Sequence, residues 1–501
     1  MLNERKKHVL NVVAGQLNTA IFTGGSLIVT PAVLFGLGDA RYGGWLLINS
    51  FIGYLRMLDL GTSAGTMKFG AGAYKRGDQA DLRRVLDTST AMFLGLAGLA
   101  LVATAALALV LPIVFPEIAG GERSTILILG AAMALDLAFR PFSASLRMRS
   151  FYFVHDVMET ICYCVFKLAL VLYFAYSREL DYRVLELLTL GEYGTRIVLV
   201  VIAAWFIAPF ARRLNPLRAH RAMIRKLATM GAAVSIIMVA DIVRFQVDAG
   251  VIGTFMPDSP ESISIFGIGT RLLSIAYAAI GVIGNVLLPR FSGLAETGDR
   301  EGLFALLRRS SLAQGLVTSF VLVSVAVLGP HFLELWLGKP WIDQSARILL
   351  VMLPGYYVAL LSGPGCSLLI GAGKLRGLTI LTVVEAAVNL GLSIALIFPL
   401  GIYGVALGTT IPLVLFRGIV FPYLLSKDID FPMSAYARMQ VSALVIGAVL
   451  LMLVGGLAWV PIHTWPRLVG LAVGVLVVFL ALIARMVPEA REWLLRKVRR
   501  A

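Results

Sequence analysis

Residues 231–255 read GAAVSIIMVADIVRFQVDAGVIGTF. The stretch is apolar and exceeds the roughly 20 residues a helix needs to cross a bilayer, yet it carries Asp241, Arg244 and Asp248. At about 100° per residue, their spacing puts all three charges on one helical face. A charge near the bilayer centre costs roughly 2.5–3.5 kcal/mol even on the lenient insertion scale, so this stripe must face protein or water. The remainder of the chain then reads as apolar walls around a polar interior.

The composition agrees. The chain has 501 residues, of which 58% are hydrophobic, and a mean hydropathy of +0.86. Soluble domains are only about 45–50% apolar, so the expectation is an integral membrane protein and not a large soluble enzyme. A net charge of +15 would suit nucleic acid, but no soluble basic domain exists to carry it. The basic residues gather in short loops between apolar segments, as in a polytopic protein. Cys162, Cys164 and Cys366 fall inside apolar segments, and the five histidines are scattered, so neither a disulfide framework nor a metal site is read. The opening residues, MLNERKKHVLNVVAGQ, lack a small-residue cleavage pattern and read as an uncleaved first span.

Apolar segments recur at 9–35, 43–68, 88–115, 123–148, 151–176, 184–210, 228–255, 263–290, 308–333, 345–371, 377–399, 402–425, 437–460 and 466–487. The expected fold is therefore all-α and polytopic with about 14 transmembrane helices, or 12 if two neighbours are wrongly divided. With the N-terminus in the cytoplasm, about 29 Lys/Arg fall on the cytoplasmic side and about 6 outside, which sets the orientation and puts both termini inside. Residues 1–210 are expected to form one six-helix bundle, 211–227 a cytoplasmic linker and 228–426 a second six-helix bundle. Residues 427–501 add two transmembrane helices and a basic amphipathic tail suited to an anionic membrane surface.

An internal repeat supports two halves. GDQADLRRVL at 77–86 and GDREGLFALL at 298–307 share Gly77/Gly298, Asp78/Asp299, Leu82/Leu303 and Leu86/Leu307, at an interval of 221 residues. Both follow an out-to-in span. Parallel repeats of this kind put a substrate path at their interface, near the midplane.

Charges recur inside the spans. Arg56 and Asp59 stand in the second, Asp136 and Arg140 in the fourth, Glu159 and Lys167 in the fifth, and Glu192 and Arg196 in the sixth. Arg271 stands in the eighth, Glu385 in the eleventh and Arg417 in the twelfth. Asp136–Arg140 and Glu192–Arg196 have the spacing of pairs that neutralise themselves on one helix. Glu385 and Arg417, near span ends, are expected to snorkel. Arg56, Lys167, Arg244 and Arg271 sit at middle depths in both halves and, with Arg140 and Arg196, read as the lining of a cationic cavity. Such a cavity concentrates anions, and arginine's planar fork suits phosphate. Asp59, Glu159, Asp241 and Asp248 would balance the empty cavity, and they are the candidates to exchange H⁺ or Na⁺ as a coupling ion. Gly363-Pro364-Gly365 is expected to bend the tenth span. Pro31, Gly53, Pro354 and Pro412 read as ordinary helix packing.

Several short motifs carry a resemblance. Tyr42-Gly43-Gly44-Trp45 opens the second span, Leu58-Asp59-Leu60-Gly61 falls within it, and the Gly77-Asp78 loop follows it. Asn285-Val286-Leu287-Leu288-Pro289-Arg290-Phe291 ends the eighth span and Gly371-Ala372-Gly373-Lys374 the tenth. Gly401-Ile402-Tyr403-Gly404-Val405-Ala406-Leu407-Gly408 opens the twelfth. In this order the motifs resemble Wzx-type oligosaccharide flippases, polysaccharide transporters of the multidrug/oligosaccharidyl-lipid/polysaccharide (MOP) exporter superfamily. The resemblance implies two six-helix bundles around a central cavity, alternating access, and transfer of an undecaprenyl-diphosphate-linked glycan from the cytoplasmic to the periplasmic leaflet of a bacterial inner membrane. Arg271 matches a basic position of the related lipid II flippases. Those also use arginines in the first helix, where this chain has no Arg or Lys after Lys7, which speaks against lipid II as cargo.

The competing expectation is a multidrug exporter or another lipid flippase of the same superfamily. A membrane polymerase or ligase would need a large catalytic outer loop, and the loops here are too short for one. No catalytic residue or resident cofactor is expected. The partners implied are the lipid-linked glycan, membrane lipids and a polysaccharide polymerase or glycosyltransferase, and not nucleic acid.

Overall fold

The computed structural model describes residues 4–59, 61–116, 122–256 and 258–486, apart from the side chains at 4, 5, 8, 9, 12, 56, 64, 213, 230–246 and 285. All regular structure among the described residues is helical. Contacts divide the chain into two compact units, Met1–Ser264 and Ile265–Ala501. The first holds α1 (Glu4–Leu37), α2 (Asp39–Leu55), α3 (Thr62–Arg76), α4 (Gln79–Val114), α5 (Arg123–Met148), α6 (Tyr152–Ser177), α7 (Tyr182–Ile207) and α8 (Arg221–Phe255). The division runs through α9 (Ser259–Glu296). The second unit continues with α10 (Arg300–Leu337), α11 (Ile342–Leu361), α12 (Gly363–Gly371), α13 (Leu375–Leu400), α14 (Ile402–Pro412), α15 (Phe421–Ile429), α16 (Met433–Val454) and α17 (Trp465–Met486).

Twelve helices among the described residues are long and apolar enough to cross a membrane. Two of the fourteen expected spans are not among them. The second is split into α2 and α3 by a 3-10 turn at Arg56–Asp59 and by Gly61, whose φ of 63° no helix can continue through. The seventh falls on α8, most of whose apolar side chains lie outside the described residues. The expected bend at 363–365 is a one-residue interruption at Ser362 between α11 and α12.

The repeat is a repeat of turns. Gly77 and Gly298 have φ of 73° and 70°. Each donates its amide to the carbonyl three residues back, Tyr74 or Ala295, and the following aspartate donates to the carbonyl five back, Ala73 or Leu294. This paired hydrogen bonding closes a helix on a left-handed residue. The same aspartates then start the next helix: Asp78 accepts from the Asp81 amide at 2.9 Å and Asp299 from the Gly302 amide at 2.8 Å. Leu82, Leu86, Leu303 and Leu307 are all buried. A second pair of turns repeats the bonding without visible sequence identity. Ser150 (φ 62°) and Gly373 (φ 71°) stand 223 residues apart, each donating three residues back, with Phe151 and Lys374 donating five back.

Within the first unit α1 packs on α6, α4 on α5, and α5 and α6 on α7, while α8 lies against α2, α3 and α4. Outside the spans, Arg41 bonds Asp181 at 2.6 Å, tying α2 to the turn before α7 and holding the Asp181 carboxyl below its usual pKa. Within the second unit α13 packs on α14, and α10 packs on α11, α16 and α17. Val323 and Val327 of α10 share one apolar cluster with Leu450 of α16 and Val475 and Phe479 of α17.

Candidate functional site

Five charged side chains of the first unit join in one network. Asp59 ends the 3-10 turn after α2, where the left-handed Gly61 redirects the chain. Its carboxylate accepts from the Ser63 amide at 3.0 Å, holding the first turn of α3, and pairs with Arg140 of α5. Arg140 Nε also lies 3.6 Å from Asp136 Oδ2. The other Asp136 oxygen accepts from Arg196 of α7 at 2.5 Å, and Arg196 Nη1 donates to Glu159 of α6 at 3.0 Å. Asp59–Arg140–Asp136–Arg196–Glu159 thus runs as one chain of alternating charge. Beside it, Lys167 of α6 pairs with Glu192 of α7 at 2.8 Å.

Of the two expected same-helix pairs, Asp136–Arg140 is kept and Glu192–Arg196 is not. Glu192 binds Lys167 and not Arg196, and Arg140 reaches both its own helix and Asp59. The cause is burial. The Arg196 side chain is only 16% exposed, so its guanidinium must satisfy several donors inside protein, and carboxylates across the helix interface meet them in better directions than one a turn away.

A cavity of about 320 Å³ opens on this network, with Asp59, Asp136, Glu159, Arg140, Arg147 and Arg196 in its lining. Three arginines meet three carboxylates, so this cavity is polar and close to charge balance. Arg147 was not singled out from the sequence because it stands at the end of α5, beyond the apolar core of the span. Its Nη2 lies 3.3 Å from His155 Nδ1, and its Nε is buried with no hydrogen-bond partner among the described residues. His155, Asp156 and Glu159 each bring one potential ligand atom within 4.8 Å of the others. The i, i+1, i+4 spacing in the sequence is the signal for that group. Arg147 and Arg196 already engage His155 and Glu159, which makes the group part of the charge network.

The second unit holds a buried pair. Glu385 of α13 is fully buried and Arg417 is 7% exposed. Arg417 donates from Nε to Glu385 at 2.7 Å, with Nη2 3.4 Å from Thr382 Oγ1. The expected snorkelling of both residues is therefore overturned. Pro412 brings no amide proton to the helix ladder, and the chain beyond it runs as a π-helix, Leu413–Val420, that carries Arg417 among packed helices. Arg196 and Arg417 stand 221 residues apart, the interval of the glycine turns, and each bonds a glutamate of the preceding long helix.

Two further candidates stand on other helices. Asp248 is buried on α8. Arg271 is half-buried on α9, its Nε lacking a hydrogen-bond partner among the described residues. The side chains of Arg56, Asp241 and Arg244 lie outside the described residues, as does the expected amphipathic tail at 487–501.

No family model matches the sequence, and no curated protein matches it either. Solved structures do. A lipid II flippase MurJ in an inward closed conformation superposes with a TM-score of 0.70 at 12% identity, covering 95% of this chain and 99% of the flippase. An inward-facing multidrug resistance MATE family transporter of the MOP superfamily gives a TM-score of 0.65 at 14% identity, covering 83% of this chain and 96% of its own. An outward-facing transporter of the same description gives 0.61 at 14% identity, covering 86% and 96%. This chain has the all-helical fold of the MOP-superfamily transporters.

Proposed function

We propose that this protein is a flippase that moves an undecaprenyl-diphosphate-linked oligosaccharide from the cytoplasmic to the periplasmic leaflet of a bacterial inner membrane, by alternating access, for surface polysaccharide assembly. The observation that carries the reading is the ionic network lining a polar cavity inside membrane-length helices. Charges at such depth are costly unless they serve a polar path. Arginines there match a diphosphate, and neighbouring carboxylates keep them paired while the cavity is empty. Loading then exchanges one set of anions for another. Protons or Na⁺ taken up by Asp59 or Glu159 would release Arg140 or Arg196 and couple transport to an ion gradient, with Asp241 and Asp248 as the further candidates for the coupling ion.

Further support comes from extent. The superposition on the lipid II flippase takes in 95% of this chain, against 83% for the inward-facing multidrug transporter. The lack of any Arg or Lys in α1 after Lys7 favours a cargo other than lipid II. A polymerase or glycosyltransferase is the expected partner on either side of the transfer.

Deletion of the gene, followed by analysis of surface polysaccharide and of lipid-linked glycan in the inner membrane, tests the proposal. The expected result is lost surface glycan with a complete oligosaccharide trapped on its lipid. In the same strain, Arg271→Ala should abolish complementation while reaching the membrane at the normal level. An unchanged polysaccharide profile, with redundant genes removed, would sink the reading. Export of cationic drugs is the second reading, favoured by the three carboxylates lining the same cavity. It predicts raised drug resistance in an overexpressing strain.

A further inference from the structure

A second cavity, of about 490 Å³, lies in the first unit and shares no lining residue with the first. Three arginines from three different segments line it: Arg83 of the first turns of α4, Arg149 just after α5, and Arg212 of the 3-10 turn that follows α7. Gln79, Tyr74 and Phe210 complete most of the wall, and no carboxylate is among the lining residues. The acids nearest in sequence are engaged elsewhere. Asp78 caps α4 at the Asp81 amide, Asp81 pairs with Arg76 at 3.0 Å, and Asp87 accepts from the Asn215 amide at 2.8 Å. Among the described residues none of the three lining arginines forms an ion pair.

Two of the three are held by backbone carbonyls. Arg149 Nη1 donates to the Ile207 carbonyl, and Arg212 Nε donates to the Trp205 carbonyl at 2.8 Å while its guanidinium stacks over the Trp205 ring. Tyr74 and Phe210 sit ring to ring with centroids 5.8 Å apart. Three like charges held in one concavity repel one another unless an anion joins them. Guanidinium forks beside Gln79, the first residue of α4, present donors to a tetrahedral oxyanion, and the aromatic wall offers an apolar side. We propose that this pocket, beside and not within the ionic network, binds a phosphate-bearing headgroup. The phosphate comes from a bilayer phospholipid or from a diphosphate, free or lipid-linked.

The test uses the full chain in neutral detergent at constant ionic strength, with thermal unfolding read against added sodium diphosphate and, separately, phosphatidylglycerol. A saturable rise in the melting temperature is expected with at least one, and apparent affinity should fall at least tenfold in the double variant Arg83→Gln/Arg212→Gln. Both arginines are exposed, so the unliganded variant should melt as the wild type does; if it does not fold, Arg83→Gln alone carries the comparison. Arg300→Gln, in the second unit, should leave the response intact. A response to diphosphate supports the site and identifies the diphosphate source; a response to phosphatidylglycerol alone supports it and identifies the bilayer source. No response to either, or an equal response in the pocket variant, overturns the proposal.

Discussion

Arg196 satisfies one carboxylate on α5 and another on α6, while Arg417 satisfies Glu385 with almost no access to solvent. The second pair is the simpler to test. Removing one partner of a buried pair leaves an uncompensated charge and typically costs about 3–5 kcal/mol, whereas replacing both with apolar residues is often close to neutral. Arg417→Met should therefore lower the unfolding temperature of the detergent-purified protein sharply. Arg417→Met combined with Glu385→Leu should recover most of that loss. Equal loss in the single and double variants would show that the pair's other contacts, such as Thr382, and not its charge, hold α13 to the π-helical segment.

At the scale of the element, the paired turns give a comparison internal to one molecule. Ser150 and Gly373 occupy turns with the same hydrogen bonds and left-handed φ values of 62° and 71°. A side chain in that region costs roughly 1–2 kcal/mol. Ser150→Gly is expected to stabilise the protein by about 1 kcal/mol, since the gain is offset by the greater freedom of glycine in the unfolded chain. Gly373→Ala should destabilise it by a similar amount. Chemical denaturation of the two variants checks both signs at once. Opposite shifts follow from equivalent turns, and shifts of the same sign would break the equivalence.

For the whole molecule, the question is whether α16 and α17 are an accessory or part of the second unit's core. Val323 and Val327 of α10 are buried against Ile446, Leu450 and Phe479. The Ala443 carbonyl accepts from Ser319 and Tyr357, both at 3.0 Å. Cutting the chain after Asp430 would strip that packed face of its partner helices and take one shared acceptor from the Ser319–Tyr357 hydroxyl pair. The truncated chain should fail to accumulate as folded protein in the membrane, measured by detergent solubility and size-exclusion profile. A monodisperse, transport-competent truncation would make the pair dispensable.

Composition, the length of apolar segments and the loop charges determine a polytopic helical membrane protein, because the bilayer admits few other solutions for such a chain. The Gly-Asp repeat was legible for the same kind of local reason: a left-handed closing residue and a capping aspartate are chemical requirements written at fixed offsets. The equivalent turn at Ser150 was hidden, since its bonds are made by backbone and leave little trace in side-chain identity. The break at 56–61 was also missed, because Gly61 in an apolar run looks like any packing glycine until its φ is known. That charges recur inside the apolar segments was legible, but not which acid each base would choose. A helix presents several carboxylates within reach, and only the packing of α5, α6 and α7 decided that Arg196 would take Asp136 and Glu159 while Glu192 went to Lys167. Pairing across interfaces depends on the direction and spacing of neighbouring helices, which side-chain spacing along one helix does not contain. Tertiary structure alone likewise drew Arg417 and Glu385 into a dry interior.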